Sequence, residues 1–139
     1  MGGSDTFGST LHWGPAWDQN RFDLTHKSFK YTKSLGDDFH TYGLYWDDKQ
    51  MYTYFDTPDN KVLVVDFTKE SFWQKGNFPK SFSNPWVGES NAAPFNREFY
   101  IVMNLAVGGS NAYFPDNYGG KPWSNSDPHA PNAFYNAKG

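Results

Sequence analysis

Three short runs of aromatic and β-branched residues, separated by turn sequences, constrain the fold of this chain most strongly. The runs are "FHTYGLYWD" (39–47), "MYTYFDT" (51–57) and "VLVVDF" (62–67). Residues of these types favour the pleated, half-buried surface of a sheet. The breaks between the runs are too short for anything but a reversal, and Pro58 in the second break fixes a turn conformation. The pattern therefore predicts a meander of three antiparallel strands.

The longest apolar run is "REFYIVMNLAVGG" (97–109), and it predicts a buried strand ended by a glycine pair. A period of two assigns alternate side chains to opposite faces. The predicted core face carries Phe99, Ile101, Met103, Leu105 and Val107. Asn104 lies on the other face, where its amide either ties down a neighbouring loop or points into a cleft and contacts a ligand.

One short helix is predicted at "TKESFWQKG" (68–76), with Thr68 capping its start and Gly76 its end. Beyond residue 108, Gly, Pro, Asn, Asp and Ser dominate, and this composition predicts loops. A chain of strands and turns with one short helix is all-β, and the pattern is typical of an antiparallel sandwich or barrel. Its 139 residues fit a single domain.

Composition excludes several classes of partner. Twelve basic and fifteen acidic residues give a net charge of −3 without a basic stripe, so nucleic acid is not an expected partner. No apolar stretch approaches the roughly 20 residues of a membrane-spanning helix, and no membrane partner is expected. There is no cysteine, and the four histidines show no metal-ligand spacing. Since nucleotide-binding motifs are also missing, we predict neither a metal nor a cofactor.

The positive signal is aromatic residues interleaved with Asn, Asp, His and Gly in three loops. These loops are "LHWGPAWDQNRF" (11–22), "FWQKGNFPKSFSNPW" (72–86) and "YFPDNYGGKPW" (113–123). A sugar ring presents an apolar face on which aromatic rings stack and a rim of hydroxyls that amides and carboxylates bind. In a chain with 20% aromatic residues, the same rings can instead be core. Trp13 and Trp17 are the best candidates for ligand contact, because their loop is broken by Gly and Pro beside His12.

Four motifs, in this order, carry a resemblance to a known family. They are "STLHWGP" (9–15), "FHTYGLYWDD" (39–48), "PFNREFYIVMNLAVGG" (94–109) and "YFPDNYGGKPW" (113–123). The chain resembles the family-16 glycoside hydrolases, specifically the laminarinase-like endo-β-1,3-glucanases and the related β-1,3-glucan recognition proteins. The resemblance implies an antiparallel β-sandwich of the jelly-roll type with a concave carbohydrate-binding cleft.

The resemblance also implies a set of substrate-binding residues. His12 would bond a carboxylate or a substrate hydroxyl, Trp13 would stack on the sugar or wall the cleft, and Asn104 would face the cleft. Loops around it would contribute Trp17, Tyr113, Phe114 and Trp123. Asn96 stands where the family often has an aspartate, so no role is carried over to this position.

The family's catalytic signature, E-x-D-x-x-E, is not found in this sequence, whose only glutamates are Glu70, Glu89 and Glu98. We therefore assign no catalytic residue. The expectation is that residues 1–139 form a segment of the sandwich, without the upstream catalytic strand and the last C-terminal strand, and inactive alone. A second chain or copy could complete such a sandwich.

Three functions follow as hypotheses. The first is hydrolysis of β-1,3-glucan with retention, to which this chain contributes part of the substrate cleft. The second is a non-catalytic β-1,3-glucan recognition module. The third is a structural protein in which the aromatic loops serve packing alone. The expected partner is a β-glucan polysaccharide, and secretion is expected by analogy with the family.

Overall fold

The computed structural model describes residues 5–105 and 109–137. Contacts divide the described chain into two compact units, one ending at Phe99 and the other beginning at Tyr100. The strands are β1 (Thr6–Thr10), β2 (His26–Lys30), β3 (Tyr42–Trp46), β4 (Gln50–Phe55) and β5 (Lys61–Asp66), and the helices are α1 (Phe72–Gly76) and α2 (Ala130–Asn136). Short 3-10 turns span Trp17–Gln19 and Phe22–Thr25. No helix in the described ranges is long and apolar enough to cross a membrane.

The predicted meander is confirmed as the sheet β3-β4-β5, in which both neighbouring pairs are antiparallel. Tyr42 pairs with Phe55 and Trp46 with Met51 across the first pair. The turn after β4 closes through the Asn60 N–H, which donates to the Thr57 carbonyl at 2.9 Å. Polar turn residues and flanking aromatic strands thus produce the local structure that the sequence predicts.

A second sheet, formed by β1 and β2, was not predicted from the sequence. The strands read "TFGST" and "HKSFK", and each contributes one large apolar residue, Phe7 and Phe29, which are paired in the antiparallel register. Phe55 of β4 packs against both rings, with centroids 5.5 Å and 5.0 Å away. The Thr53 hydroxyl also donates to the Ser9 hydroxyl at 2.8 Å. The all-β antiparallel class is therefore confirmed, while the jelly-roll order of strands remains a prediction.

The core beneath the larger sheet is built mainly from aromatic rings. Five of its nine buried residues are aromatic, so ring packing replaces much of the aliphatic packing of an ordinary core. The members are Trp13, Met51, Leu63, Val65, Phe67, Phe72, Phe78, Ala92 and Phe95. Because Trp13 belongs to this cluster, the loop that carries it is fixed to the core.

The helix predicted at 68–76 exists, but its caps differ from the prediction. Ser71, rather than Thr68, caps the start, and it forms a capping box with Gln74. The Thr68 hydroxyl and N–H instead bond the Asp66 carboxylate, which ends β5. Asn77, in the left-handed conformation with φ of 43°, follows Gly76 and closes the helix.

The prediction of a strand at 97–109 is wrong for residues 97–105, which the structure describes. None of these residues is in a strand, and both Ile101 and Met103 are about 90% exposed (88% and 90%). A strand needs a partner for its backbone groups, and none of the described strands pairs with this run. Composition alone does not supply that partner. Residues 106–108 of the predicted strand, including Val107, lie outside the described residues.

The loop prediction beyond residue 108 is wrong for residues 130–136, which form α2. Pro131 stands in the first turn of this helix, where its missing N–H has no helical partner to lose. Ala130 is the buried residue of the helix, and Trp123 packs against Phe134 with centroids 5.4 Å apart.

We expect Phe55→Ala to destabilise the unit that contains both sheets by about 3–5 kcal/mol, because it removes the ring between them. Phe55 is 1% exposed and contacts Phe7, Phe29 and Tyr31. Urea unfolding followed by circular dichroism measures the change. Phe39→Ala is the matched control, since the Phe39 ring is fully exposed and its loss should stay within about 0.5 kcal/mol of the parent. Equal stability of both variants would contradict the inter-sheet role of Phe55.

Candidate functional site

The first of the three aromatic loops forms an open cleft, here called the Trp17 cleft. Its volume is about 370 Å³, and it is lined by His12, Trp13, Gly14, Ala16, Trp17 and Asn20. Three predicted substrate-binding residues are thus brought together in one place. None of the lining side chains is a carboxylate or an ammonium group, so the cleft suits an uncharged ligand.

Trp13 anchors this cleft to the core. Its indole is 4% exposed and packs edge-on against Phe72 and Phe78, with centroids 4.8 Å and 5.9 Å away. The indole N–H donates to the Thr25 hydroxyl at 2.8 Å, which donates in turn to the Leu11 carbonyl at 3.0 Å. Burial leaves Trp13 no free face on which a sugar could stack. Of the two predicted roles, stacking and walling, the geometry suits the wall.

Gly14 allows the loop to fold back tightly behind Trp13. A Cβ at Gly14 would lie 2.1 Å from the Gln19 carbonyl oxygen, so no larger residue fits without moving the backbone. The Arg21 N–H donates to the Trp13 carbonyl at 2.8 Å, and the Arg21 guanidinium donates to the Gly76 carbonyl at 3.0 Å. The loop is therefore fixed at both ends by backbone contacts.

Asn20 fixes the orientation and the tautomer of His12. Its side-chain oxygen accepts the N–H groups of Trp13 and Phe22 at 3.3 Å and 3.2 Å, which leaves its amide nitrogen facing His12 Nδ1 at 2.9 Å. An amide nitrogen only donates, so Nδ1 must accept and the ring proton of neutral His12 lies on Nε2. His12 is exposed, and Nε2–H is the donor it can offer to a ligand.

Trp17 is the exposed aromatic ring of the cleft. Its side chain is 94% exposed, and it begins the 3-10 turn Trp17–Gln19. Beside the polar side chains of His12 and Asn20, this exposed ring makes the loop a candidate for ligand binding. Trp13 and Trp17, four residues apart, therefore have opposite environments: the first is a buried anchor and the second an exposed platform.

The remaining predicted substrate-binding residues lie in the unit that begins at Tyr100. Tyr113, Phe114 and Trp123 form a chain of edge-on rings, with successive centroids 5.1 Å and 6.5 Å apart. Tyr113 is 62% exposed, while the other two are partly buried. Asn104 is exposed, and its side chain makes no hydrogen bond to another residue of the described ranges. The hypothesis that Asn104 ties down a loop therefore gains no support there.

Lys121 holds the aromatic loop of this unit together, and sequence reasoning missed it. Its side chain is 4% exposed, and its ammonium donates to the Phe114 carbonyl at 2.9 Å and to the Asn125 side chain at 2.8 Å. It also pairs with Asp116. The bond from Lys121, followed by that from the Asn125 N–H, lowers the pKa of the Asp116 carboxyl below its usual value of 3.8. A buried cation needs such partners, which fixes the loop around it.

No group of three or more His, Asp or Glu side chains that could hold a metal ion occurs in the described parts of the chain. Asn20 is the functional residue that sequence reasoning passed over in the first loop. Its signal was available, since it stands inside "LHWGPAWDQNRF" among the aromatic and polar residues that marked the loop.

Comparison with known proteins agrees with the resemblance drawn from the motifs. The chain is 43% identical over 98% of its length to a β-1,3-glucan-binding protein of Penaeus monodon. It is 32% identical over 90% of its length to a glucan endo-1,3-β-glucosidase of Cryptopygus antarcticus, and 30% identical over 73% of its length to glucan endo-1,3-β-glucosidase A1 of Niallia circulans. The chain belongs to the family of laminarinase-like glucanases and β-1,3-glucan recognition proteins.

The matches cover 37%, 39% and 13% of the lengths of these three relatives, so the chain spans about two fifths of the first two. No family model matches the chain. No solved structure gives a significant match either.

In a laminarinase-like chain the position of each glutamate matters for chemistry, and none of the three lines the Trp17 cleft. Glu70 pairs with Lys75 at 2.7 Å. Glu89 accepts from Asn96 at 2.7 Å and from Arg97, and these bonds lower its pKa below the usual value of 4.5. A general acid for glycoside hydrolysis needs the opposite shift. The lowered pKa of Glu89 therefore does not suit a general acid.

We expect the loop around Lys121 to loosen at acidic pH. Because the pKa of Asp116 is lowered in the folded chain, the stability it contributes is complete above 3.8 and is lost as pH falls through the lower folded pKa. The indole N–H signal of Trp123, which donates to the Gly109 carbonyl at 2.8 Å, reports the change by NMR. In Asp116→Asn this signal should be shifted already at neutral pH and insensitive to acid. An unaltered acid response in Asp116→Asn, equal to that of the control Asp48→Asn, would contradict this role.

Proposed function

We propose that this chain binds β-1,3-glucan through the Trp17 cleft. The observation that carries the proposal is an exposed indole on a fixed loop, beside a histidine whose free ring N–H is oriented by Asn20. An aromatic face and a small number of placed polar groups are the two elements that recognition of a sugar requires.

In the proposed complex the apolar face of a glucosyl unit lies on the ring of Trp17. The His12 Nε2–H donates to a sugar hydroxyl, and the buried Trp13 walls the cleft behind it. Since Asn20 and Gly14 hold this loop before the ligand arrives, little conformational entropy is lost on binding. The uncharged lining favours a neutral polysaccharide over an anionic one.

The relatives support this choice of ligand. The similar proteins of Penaeus monodon, Tenebrio molitor and Manduca sexta are named β-1,3-glucan-binding proteins. Binding to a β-1,3-glucan is therefore the function we assign to the chain. An extracellular location follows the same analogy and is part of the proposal.

Hydrolysis of β-1,3-glucan with retention is the second candidate function, supported by the similarity to two glucan endo-1,3-β-glucosidases. Retaining hydrolysis needs two carboxyl groups about 5–5.5 Å apart. No carboxylate lines the Trp17 cleft. We therefore propose that the 139-residue chain contributes glucan contacts and does not itself break the glycosidic bond.

The residues of the other unit are part of the same proposal. Tyr113 presents an exposed phenol ring, and Asn104 presents an exposed amide. Phe114 and Trp123 are partly buried, and we propose that they support the Tyr113 ring and contact the glucan through their exposed edges.

The purified chain should bind laminarin and release no reducing ends from it. Binding is measured by isothermal titration, and hydrolysis by a reducing-sugar assay after overnight incubation, with the chain's mass confirmed beforehand. Reducing-end release that persists in Glu70→Gln and disappears in Glu98→Gln would reject the non-hydrolytic role and identify Glu98 as catalytic. Failure of the parent chain to bind laminarin would reject the proposed function.

Trp17→Ala should weaken laminarin binding about tenfold, or about 1.4 kcal/mol, because it removes the stacking ring. Its thermal stability should be unchanged, since the Trp17 ring is exposed and contributes nothing to the core. Phe39→Ala, which removes another fully exposed ring outside the cleft, should bind like the parent chain. Equal weakening in both variants would show that exposed rings contribute nonspecifically.

A further inference from the structure

The second aromatic loop of the sequence, residues 72–86, is not used by the Trp17 cleft, and it borders a recess of its own. The recess has a volume of about 350 Å³ and lies between α1 and the segment 84–93. It is here called the Trp86 recess, and its lining includes Trp73, Gln74, Asn84, Trp86, Glu89 and Asn91.

The walls of the Trp86 recess are two tryptophan rings fixed by the core. Trp73 and Trp86 stand nearly perpendicular, at 75°, with centroids 6.4 Å apart. Phe78, a buried residue, packs against both at 5.0 Å and 6.5 Å. Both indoles are only partly buried, so each keeps some apolar surface toward the recess. Two rings at this angle offer a flat face and an adjoining wall to a small apolar surface.

Amide groups at the rim supply hydrogen bonds. The side-chain oxygen of Gln74 is used by Ser71, and that of Asn84 accepts the Trp86 N–H at 2.9 Å. Their amide nitrogens donate to no other residue in the described ranges, and the Asn91 side chain makes no bond there either. These groups therefore remain available as donors, and Asn91 also as an acceptor.

The charge at the recess is balanced. Glu89 is the charged residue of its lining, and its carboxylate is paired with Arg97 and accepts from Asn96 at 2.7 Å. Because Arg97 neutralises this carboxylate, the recess has no net charge that would attract an anionic or a cationic ligand. A neutral ligand with several hydroxyl groups can accept from the amides and donate to Glu89.

We propose that the Trp86 recess is a second saccharide-binding site, which takes a neutral glucosyl unit of the β-glucan bound at the Trp17 cleft. The class of ligand rests on the proposed function, whereas the site itself is inferred from the two tryptophan rings and the amide groups at the rim. Phe78 contacts Trp13 as well as Trp73 and Trp86, so one aromatic cluster supports both sites. A polymer that reaches both sites gains affinity by multivalency, whereas a short oligosaccharide occupies one.

The experiment compares laminarin with laminaritriose in isothermal titrations of the parent chain and of single variants. Trp86→Ala and Asn91→Ala should each weaken laminarin binding, the first about tenfold and the second about fivefold, from the loss of one ring or one hydrogen bond. The preference of the parent chain for laminarin over laminaritriose should shrink in both variants. Asn132→Ala, an exposed amide on α2, is the matched control for Asn91→Ala and should bind like the parent.

The results of this experiment test the Trp86 recess and the Trp17 cleft separately. Weaker binding in Trp17→Ala with parent affinity in Trp86→Ala and Asn91→Ala would reject the Trp86 recess alone. The reverse pattern would keep the recess and reject the Trp17 cleft, and no laminarin binding by the parent chain would reject both. If circular dichroism shows that Trp86→Ala is unfolded, Asn91→Ala decides, because Asn91 is exposed and outside the core.

Discussion

The buried indole of Trp13 is the constraint on which both proposed binding surfaces depend. Its N–H is bonded to Thr25, and its ring lies against Phe72 and Phe78. These contacts tie the loop of the Trp17 cleft to the core, in addition to the hydrogen bonds that the side chains of Asn20 and Arg21 make. Phe78 extends the same packing to Trp73, so the position of the second recess depends on the first ring. One cluster of aromatic rings in edge-on and tilted contact thus supports the geometry of both proposed sites.

The strands that could be predicted from the sequence are those with apolar residues on most positions. β3, β4 and β5 have that pattern and are confirmed. β1 and β2 each carry one partly buried phenylalanine among small, polar and basic residues, so their alternation is too weak to recognise. The two rings pack on Phe55, a contact that the local sequence does not reveal. The opposite error occurred at residues 97–105, where strong propensity found no paired strand in the described chain. Propensity and pairing are separate conditions, and only the first can be found in a local sequence.

The candidate site could be located from the sequence, but the role of each residue could not. Interleaved aromatic and polar residues marked the loops that line the Trp17 cleft and the Trp86 recess. The same pattern could not distinguish Trp13 from Trp17, since an indole serves equally well as a core residue and as a stacking platform. The difference arises from Thr25, a residue twelve positions away that accepts the Trp13 N–H. Long-range partners of this kind have no local signature.

The uncharged lining of the Trp17 cleft favours the proposed binding role over hydrolysis at this cleft. Stacking and hydrogen bonds to hydroxyls hold a sugar in its ground state, whereas bond cleavage requires an acid and a nucleophile with pKa values driven apart. In the described chain, Glu89 pairs with Arg97 and its pKa is lowered, which is the opposite of the shift that a general acid requires. The aromatic platform and the oriented histidine therefore supply what the proposed binding requires, whereas hydrolysis would require carboxyl groups that do not line the Trp17 cleft.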